Sequence, residues 1–108
     1  KKLGRPWEIG KAFEQSAPCS ELYPIETTGI IKNGTILLYV NNELRQNADL
    51  SDMIWSVPEM ISILSEYFEL AAGDIILTGT PAGVGSVQPG DNMRASIEGL
   101  GELAITVY

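Results

Sequence analysis

A chain of 108 residues has room for one domain, in which about two-thirds of the unfolded surface is expected to be buried. Hydrophobic residues make up 44% and charged residues 19%, with 7 Lys plus Arg against 14 Asp plus Glu and a net charge of -7. That is the composition of a core-forming protein, and its acidity speaks against a protein that tracks nucleic-acid phosphates. The absence of histidine excludes a Ser-His-Asp triad, a Cys-His pair and a His-ligated metal built from this chain alone.

The longest apolar runs, Ile36 to Val40 and Ile75 to Leu77, are far too short for a membrane span. A single cysteine, Cys19, cannot form an internal disulfide and fits a reducing, cytoplasmic setting. The chain opens Lys1-Lys2-Leu3-Gly4, with neither Met nor the zones of a signal peptide. A processed N-terminus or a piece of something longer would both explain that opening.

Residues 1 to 29 carry scattered prolines and glycines and read as irregular chain with short extended pieces. A solvated arm is one reading. Trp7, Ile9, Phe13 and Leu22 weigh against it, because they would be awkward in water. Ile30-Ile31-Lys32 and Thr35 to Asn41 are β-rich and flank Asn33-Gly34, a hairpin dipeptide. A second reversal at Asn41-Asn42 leads into Glu43-Leu44-Arg45-Gln46. The two cannot both be tight hairpins with long arms. Asn41-Asn42 is expected to be the principal turn, since Leu38, Val40 and Leu44 then fall at strand spacing around it.

Ser56-Val57-Pro58-Glu59 has the pattern of a capping box with proline in the first turn. Val57, Met60, Ile61, Leu64, Tyr67 and Phe68 recur at helical spacing, which predicts a core-facing stripe and a helix ending near Leu70. Asp74 to Leu77 reads as a short buried strand, and Thr78 to Asp91 as a loop. Met93, Ala95 and Ile97 alternate with polar residues, as do Leu103, Ile105 and Val107. These two runs should pair as an antiparallel hairpin. The predicted fold class is β-rich α+β: several antiparallel strands with one packed helix.

Two features could carry chemistry. Thr78-Gly79-Thr80-Pro81-Ala82-Gly83-Val84-Gly85 could form a nest of backbone N–H groups for an anion. The Lys and the following helix of a phosphate loop are missing, so the open readings are an ordinary loop and a small-carboxylate site using the Thr80 hydroxyl. Lys11 lies between Ile9-Gly10 and Ala12-Phe13. It is either a solvated surface residue or a cation that orients a substrate oxygen and holds developing negative charge. The carboxylates look like turn and cap residues and make no convincing metal cluster. Cys19, with no basic partner beside it, reads as a buried inert thiol.

Taken together, Pro6-Trp7-Glu8-Ile9-Gly10-Lys11-Ala12-Phe13 with Ser16-Ala17-Pro18, and Gly73-Asp74-Ile75-Ile76-Leu77-Thr78-Gly79-Thr80-Pro81-Ala82-Gly83-Val84-Gly85, resemble the fumarylacetoacetate hydrolase family. Val40 to Gln46 and Met53 to Pro58 are similar in the same order, so the likeness spans essentially the whole chain. The acylpyruvate and fumarylpyruvate hydrolases are the nearest branch. The resemblance implies a mixed β-sandwich roll, usually in homodimers, of which residues 1–108 would be the C-terminal part of a single catalytic domain. It implies Mg²⁺ or Mn²⁺ and hydrolysis of the C–C bond of a 2,4-diketo acid.

By position, Lys11 matches the family's active-site lysine, Thr80 the threonine that binds the substrate carboxylate, and Gly79 a glycine that permits close backbone approach. The family's metal ligands, a Glu-x-Glu pair and an Asp, and its His-Glu water-activating pair all lie upstream of the matched segment. The chain alone is therefore expected to be inactive and to need the remainder of its own catalytic domain. The competing readings are a keto-acid decarboxylase or diketo-acid isomerase of the same family, and a catalytically silent dimerisation module with open sheet edges.

Overall fold

The computed structural model describes Gly4, Pro6 and residues 8–108. Trp7, expected to be shielded from water, lies outside the described residues. The centre is a four-stranded antiparallel sheet in the order β2-β1-β3-β4. Its strands are β1 (Thr35–Val40), β2 (Glu43–Asp49), β3 (Asn92–Ile97) and β4 (Gly101–Thr106). Helix α1 (Ile25–Thr28) is a single turn, and α2 (Val57–Ser65) is the main helix. The predicted β-rich α+β class stands. Among the described residues no helix is long and apolar enough to cross a membrane.

Asn41 and Asn42 have φ of 51° and 66°. Two successive left-handed residues make the turn whose twist matches that of a β-hairpin, and asparagine tolerates that region better than most residues. The expected principal turn is therefore the observed one. Asn33-Gly34 makes no hairpin. Instead the Gly34 carbonyl accepts from Leu50 N–H at 2.9 Å, and Gly34 N–H donates to the Asp49 carboxylate at 3.2 Å. That dipeptide thus closes the far end of the β1–β2 pair. The hairpin predicted from the alternation around 93–107 also forms, pairing Met93 with Ile105 and Ala95 with Leu103.

The register shifts between Leu38 and Tyr39, so that Leu38 faces Gln46 while Tyr39 faces Leu44, with Arg45 extra on β2. A bulge of this kind reverses the alternation. Leu44 lies on the turn side of it, opposite Tyr39, whereas beyond the bulge Gln46 takes the place opposite Leu38 that Arg45 would hold in an unbroken ladder.

Other expectations need correction. Helix α2 starts as predicted: Ser56 Oγ accepts from Glu59 N–H, and the Glu59 carboxylate accepts from Ser56 N–H at 2.8 Å. It ends at Ser65, short of Leu70. Glu66 N–H and Tyr67 N–H turn back to carbonyls three residues earlier, and Ser65 Oγ donates to the Ser62 carbonyl at 2.7 Å, which tightens the last turn. The predicted stripe is not core: Tyr67 is 75% and Phe68 64% exposed.

Residues 74–77 form no strand and are not buried, with Ile75 and Leu77 both exposed. A strand needs a ladder partner, and the three pairings of this sheet are all between β1, β2, β3 and β4. Cys19 is exposed, its Sγ 3.5 Å from the Ala17 carbonyl, because its segment meets no core to enter. Ile9, Phe13 and Leu22 are exposed as well, against the expectation that they would be shielded from water.

Candidate active site

The bulge creates the site. Arg45 is left without a partner on β1, and the glycine-rich loop lies against its carbonyl. Gly83 has φ of +101°, and a β-carbon there would stand 2.0 Å from the Arg45 carbonyl oxygen. Any side chain at 83 would push the loop off the strand. Gly85 lies beside the Arg45 guanidinium, 3.4 Å from where its own β-carbon would sit. Between sheet and loop is a cleft of about 240 Å³, walled by Val40, Gln46, Thr80, Gly83, Val84 and Met93 among others.

Gln46 is the buried polar side chain of the sheet, 8% exposed. Its Nε2 donates to the Thr80 hydroxyl oxygen at 2.9 Å and to the Pro81 carbonyl at 2.8 Å. Thr80 Oγ1 also lies 3.3 Å from Gln46 Oε1, to which it can donate. The hydroxyl singled out in the sequence is thus held at the cleft by a residue 34 positions away. Gly79 precedes it at φ +96° with open space where a β-carbon would point. Lys11 sits on the exposed N-terminal segment, just past the 3₁₀ turn Glu8–Gly10. It is not among the residues that wall this cleft.

A larger hollow of about 490 Å³ lies near Tyr39, Asn92 and Arg94. Its cation is already engaged: Arg94 stacks 5.0 Å over the Tyr39 ring and meets Glu102 at 3.5 Å. It contains no part of the glycine-rich loop, so the smaller cleft is the better candidate.

Several carboxylates serve structure. Glu59 caps α2, and Asp49 caps the 3₁₀ turn Leu50–Asp52. Asp91 accepts from Gln88 N–H at 2.8 Å and from Asn41 Nδ2 at 2.7 Å. The Gln88 amide, then Asn41, and then the charge of Arg45 hold its carboxyl below the usual carboxylate range. Among the described residues no group of three or more His, Cys, Asp or Glu side chains could hold a metal ion. The donor set of the described residues therefore does not fit a divalent cation.

The sequence pattern of the fumarylacetoacetate (FAA) hydrolase C-terminal region matches residues 1–108. The chain belongs to the fumarylacetoacetate hydrolase family. Within that family it is 42% identical over 104 residues to a fumarylpyruvate hydrolase of Ralstonia sp, covering 96% of this chain and 54% of that protein. It is 46% identical over 100 residues to the oxaloacetate tautomerase YcgM of Escherichia coli, covering 92% of this chain and 46% of that one.

Its fold superimposes on the crystal structure of fumarylpyruvate hydrolase from Pseudomonas aeruginosa, in complex with Mn²⁺ and pyruvate. The TM-score is 0.93 at 51% identity, over 98% of this chain and 46% of that one. The chain spans about half the length of these family members and matches the family's C-terminal half. The four-stranded sheet with its one substantial helix is thus the C-terminal fold of the family.

The residue that the sequence reading missed is Gln46. It belongs to a stretch noted as family-like, but its role depends on a contact with residues 80 and 81. The available signal was an uncharged polar residue in a strand where alternation asked for an apolar one.

Proposed function

We propose that the protein is a hydrolase that cleaves the C–C bond of an acylpyruvate, such as fumarylpyruvate, to give pyruvate and a carboxylic acid. The observation that carries this reading is the 51% identity and near-complete superposition on a fumarylpyruvate hydrolase that holds Mn²⁺ and pyruvate. Residues 1–108 are then the C-terminal part of a single catalytic domain, and the remainder of that domain packs on the exposed apolar groups of α2 and of residues 74–77. Mg²⁺ or Mn²⁺ is held by residues outside this segment. The exposed, unpaired Cys19 thiol is consistent with a reducing cytoplasm. Exposed apolar surface is also available for a homodimer contact.

The roles of the chain's own groups follow from their chemistry. The Thr80 hydroxyl donates to the substrate carboxylate, and positive φ at Gly79 lets the backbone turn closely beneath it. Water adds to the acyl carbonyl. The C–C bond breaks with its electron pair moving to the pyruvyl unit as an enolate, which then takes up a proton at carbon. The Lys11 ammonium offsets the negative charge that appears on the enolate oxygen.

The names of several relatives favour a second reading, an oxaloacetate tautomerase, in which only the proton moves and no bond between carbons is cut. The two are separated by assaying the complete protein with fumarylpyruvate and with enol-oxaloacetate. Hydrolysis consumes the enol absorbance of fumarylpyruvate and releases one pyruvate for each molecule lost. Lys11→Ala should lower kcat by about 10²-fold with the fold intact, and Thr80→Val should raise KM at least tenfold. Loss of enol-oxaloacetate absorbance, with no pyruvate formed from fumarylpyruvate, would overturn the hydrolase reading in favour of the tautomerase.

A further inference from the structure

We infer that Gln46 is the positioning residue for Thr80: its amide N–H occupies the hydroxyl oxygen, leaving the hydroxyl proton for the ligand's carboxylate. This rests on the proposed carboxylate-binding role of Thr80.

The Pro81 carbonyl can only accept, so the amide nitrogen of Gln46 must face it, at 2.8 Å. That fixes the side-chain amide in one of its two orientations. Its second N–H then points at Thr80 Oγ1, 2.9 Å away. A hydroxyl that accepts one good hydrogen bond becomes a better donor. Its own proton has only the 3.3 Å contact with Gln46 Oε1, long for an O–H···O bond. A carboxylate entering the cleft offers a shorter, charge-assisted acceptor, and the proton turns to it without disturbing the amide contacts. Burial makes the arrangement stiff. Gln46 is 8% exposed and grips two consecutive residues of the loop, while the close approach at Gly83 keeps the loop on the strand.

The test uses the complete protein and Mn²⁺-dependent pyruvate binding, followed by titration calorimetry. Gln46→Leu should weaken pyruvate about tenfold. Thr80→Val should weaken it at least as much, and the double variant should be no weaker than Thr80→Val alone, because both act through one hydroxyl. Gln46→Glu keeps the shape but replaces a donor with an acceptor, and thermal melts of each variant confirm that the fold is retained before binding is compared. It should bind pyruvate worse than Gln46→Leu at pH 8. It should also recover, relative to the unsubstituted protein, as acid protonates Glu and restores a donor.

Unchanged affinity in Gln46→Leu, losses that multiply in the double variant, or no acid recovery in Gln46→Glu would each reduce Gln46 to a packing residue. Those results would leave the role of Thr80 standing. Unchanged affinity in Thr80→Val would instead remove the carboxylate role and this inference with it.

Discussion

Gly83 and Gly79 both sit at positive φ, yet their surroundings differ. Gly79 faces open space, whereas a β-carbon at 83 would collide with the Arg45 carbonyl. Gly79→Ala should therefore cost only backbone strain, about 1–2 kcal/mol. Gly83→Ala adds a clash with main chain that cannot swing aside, so its loss should be clearly larger, and the loop should lift from β2. Denaturant midpoints of the two variants check this, and equal losses would contradict it. The importance of the loop was legible from its glycines, but the difference between two of them was not. Nothing near Gly83 in the sequence announces that residue 45 is its neighbour. The same holds for Gln46, whose partners are 34 and 35 positions away.

Elements in this chain are secured by short polar devices more than by packing. The strongest gathers Asp91, Asn41 and the ends of β1, β3 and β4. Asn41 Oδ1 accepts from Asn92 N–H at 2.9 Å, Val107 N–H donates to the Asp91 carbonyl, and the Asp91 carboxylate accepts from Gln88 and Asn41. The carboxyl's folded pKa lies below the ordinary aspartate value. A depressed acid stabilises the fold fully above its unfolded pKa, and that stability is lost as pH falls through the folded value. Asp91→Asn should thus be less stable than the parent at neutral pH, and the gap should close as pH falls below the usual carboxylate range. Urea melts of both proteins from neutral pH to below that range provide the measurement. A gap that persists in acid would mean that the carboxylate's charge is not what matters.

At the scale of the whole molecule the apolar surface is far from covered. The chain exposes 9084 Å², against about 5,900 Å² for a compact monomer of its mass. Its radius of gyration is 15.4 Å, where about 13 Å is usual for this length. The expectation that two-thirds of the surface would be buried is therefore not met. Val40, 4% exposed, is the one buried hydrophobic side chain among the described residues. Residues 1–108 prepared alone, mixed with fumarylpyruvate and Mg²⁺, should leave the enol absorbance unchanged. Chelator-sensitive turnover by that polypeptide would contradict the proposal that the cation's ligands lie elsewhere.

Local chemistry in the sequence was enough to determine the β1–β2 turn, the β3–β4 hairpin, the start of α2, and the family. Each depends on neighbours a few residues apart: two asparagines that tolerate positive φ, a period of two, a reciprocal cap, an unbroken motif. Tertiary structure alone decided where α2 stops, that residues 74–77 find no ladder partner, that Cys19 stays in solvent, and that a bulge turns Gln46 under Thr80. Those outcomes depend on which surfaces meet, and hydrogen-bond partners dozens of residues apart leave no periodic trace in the chain.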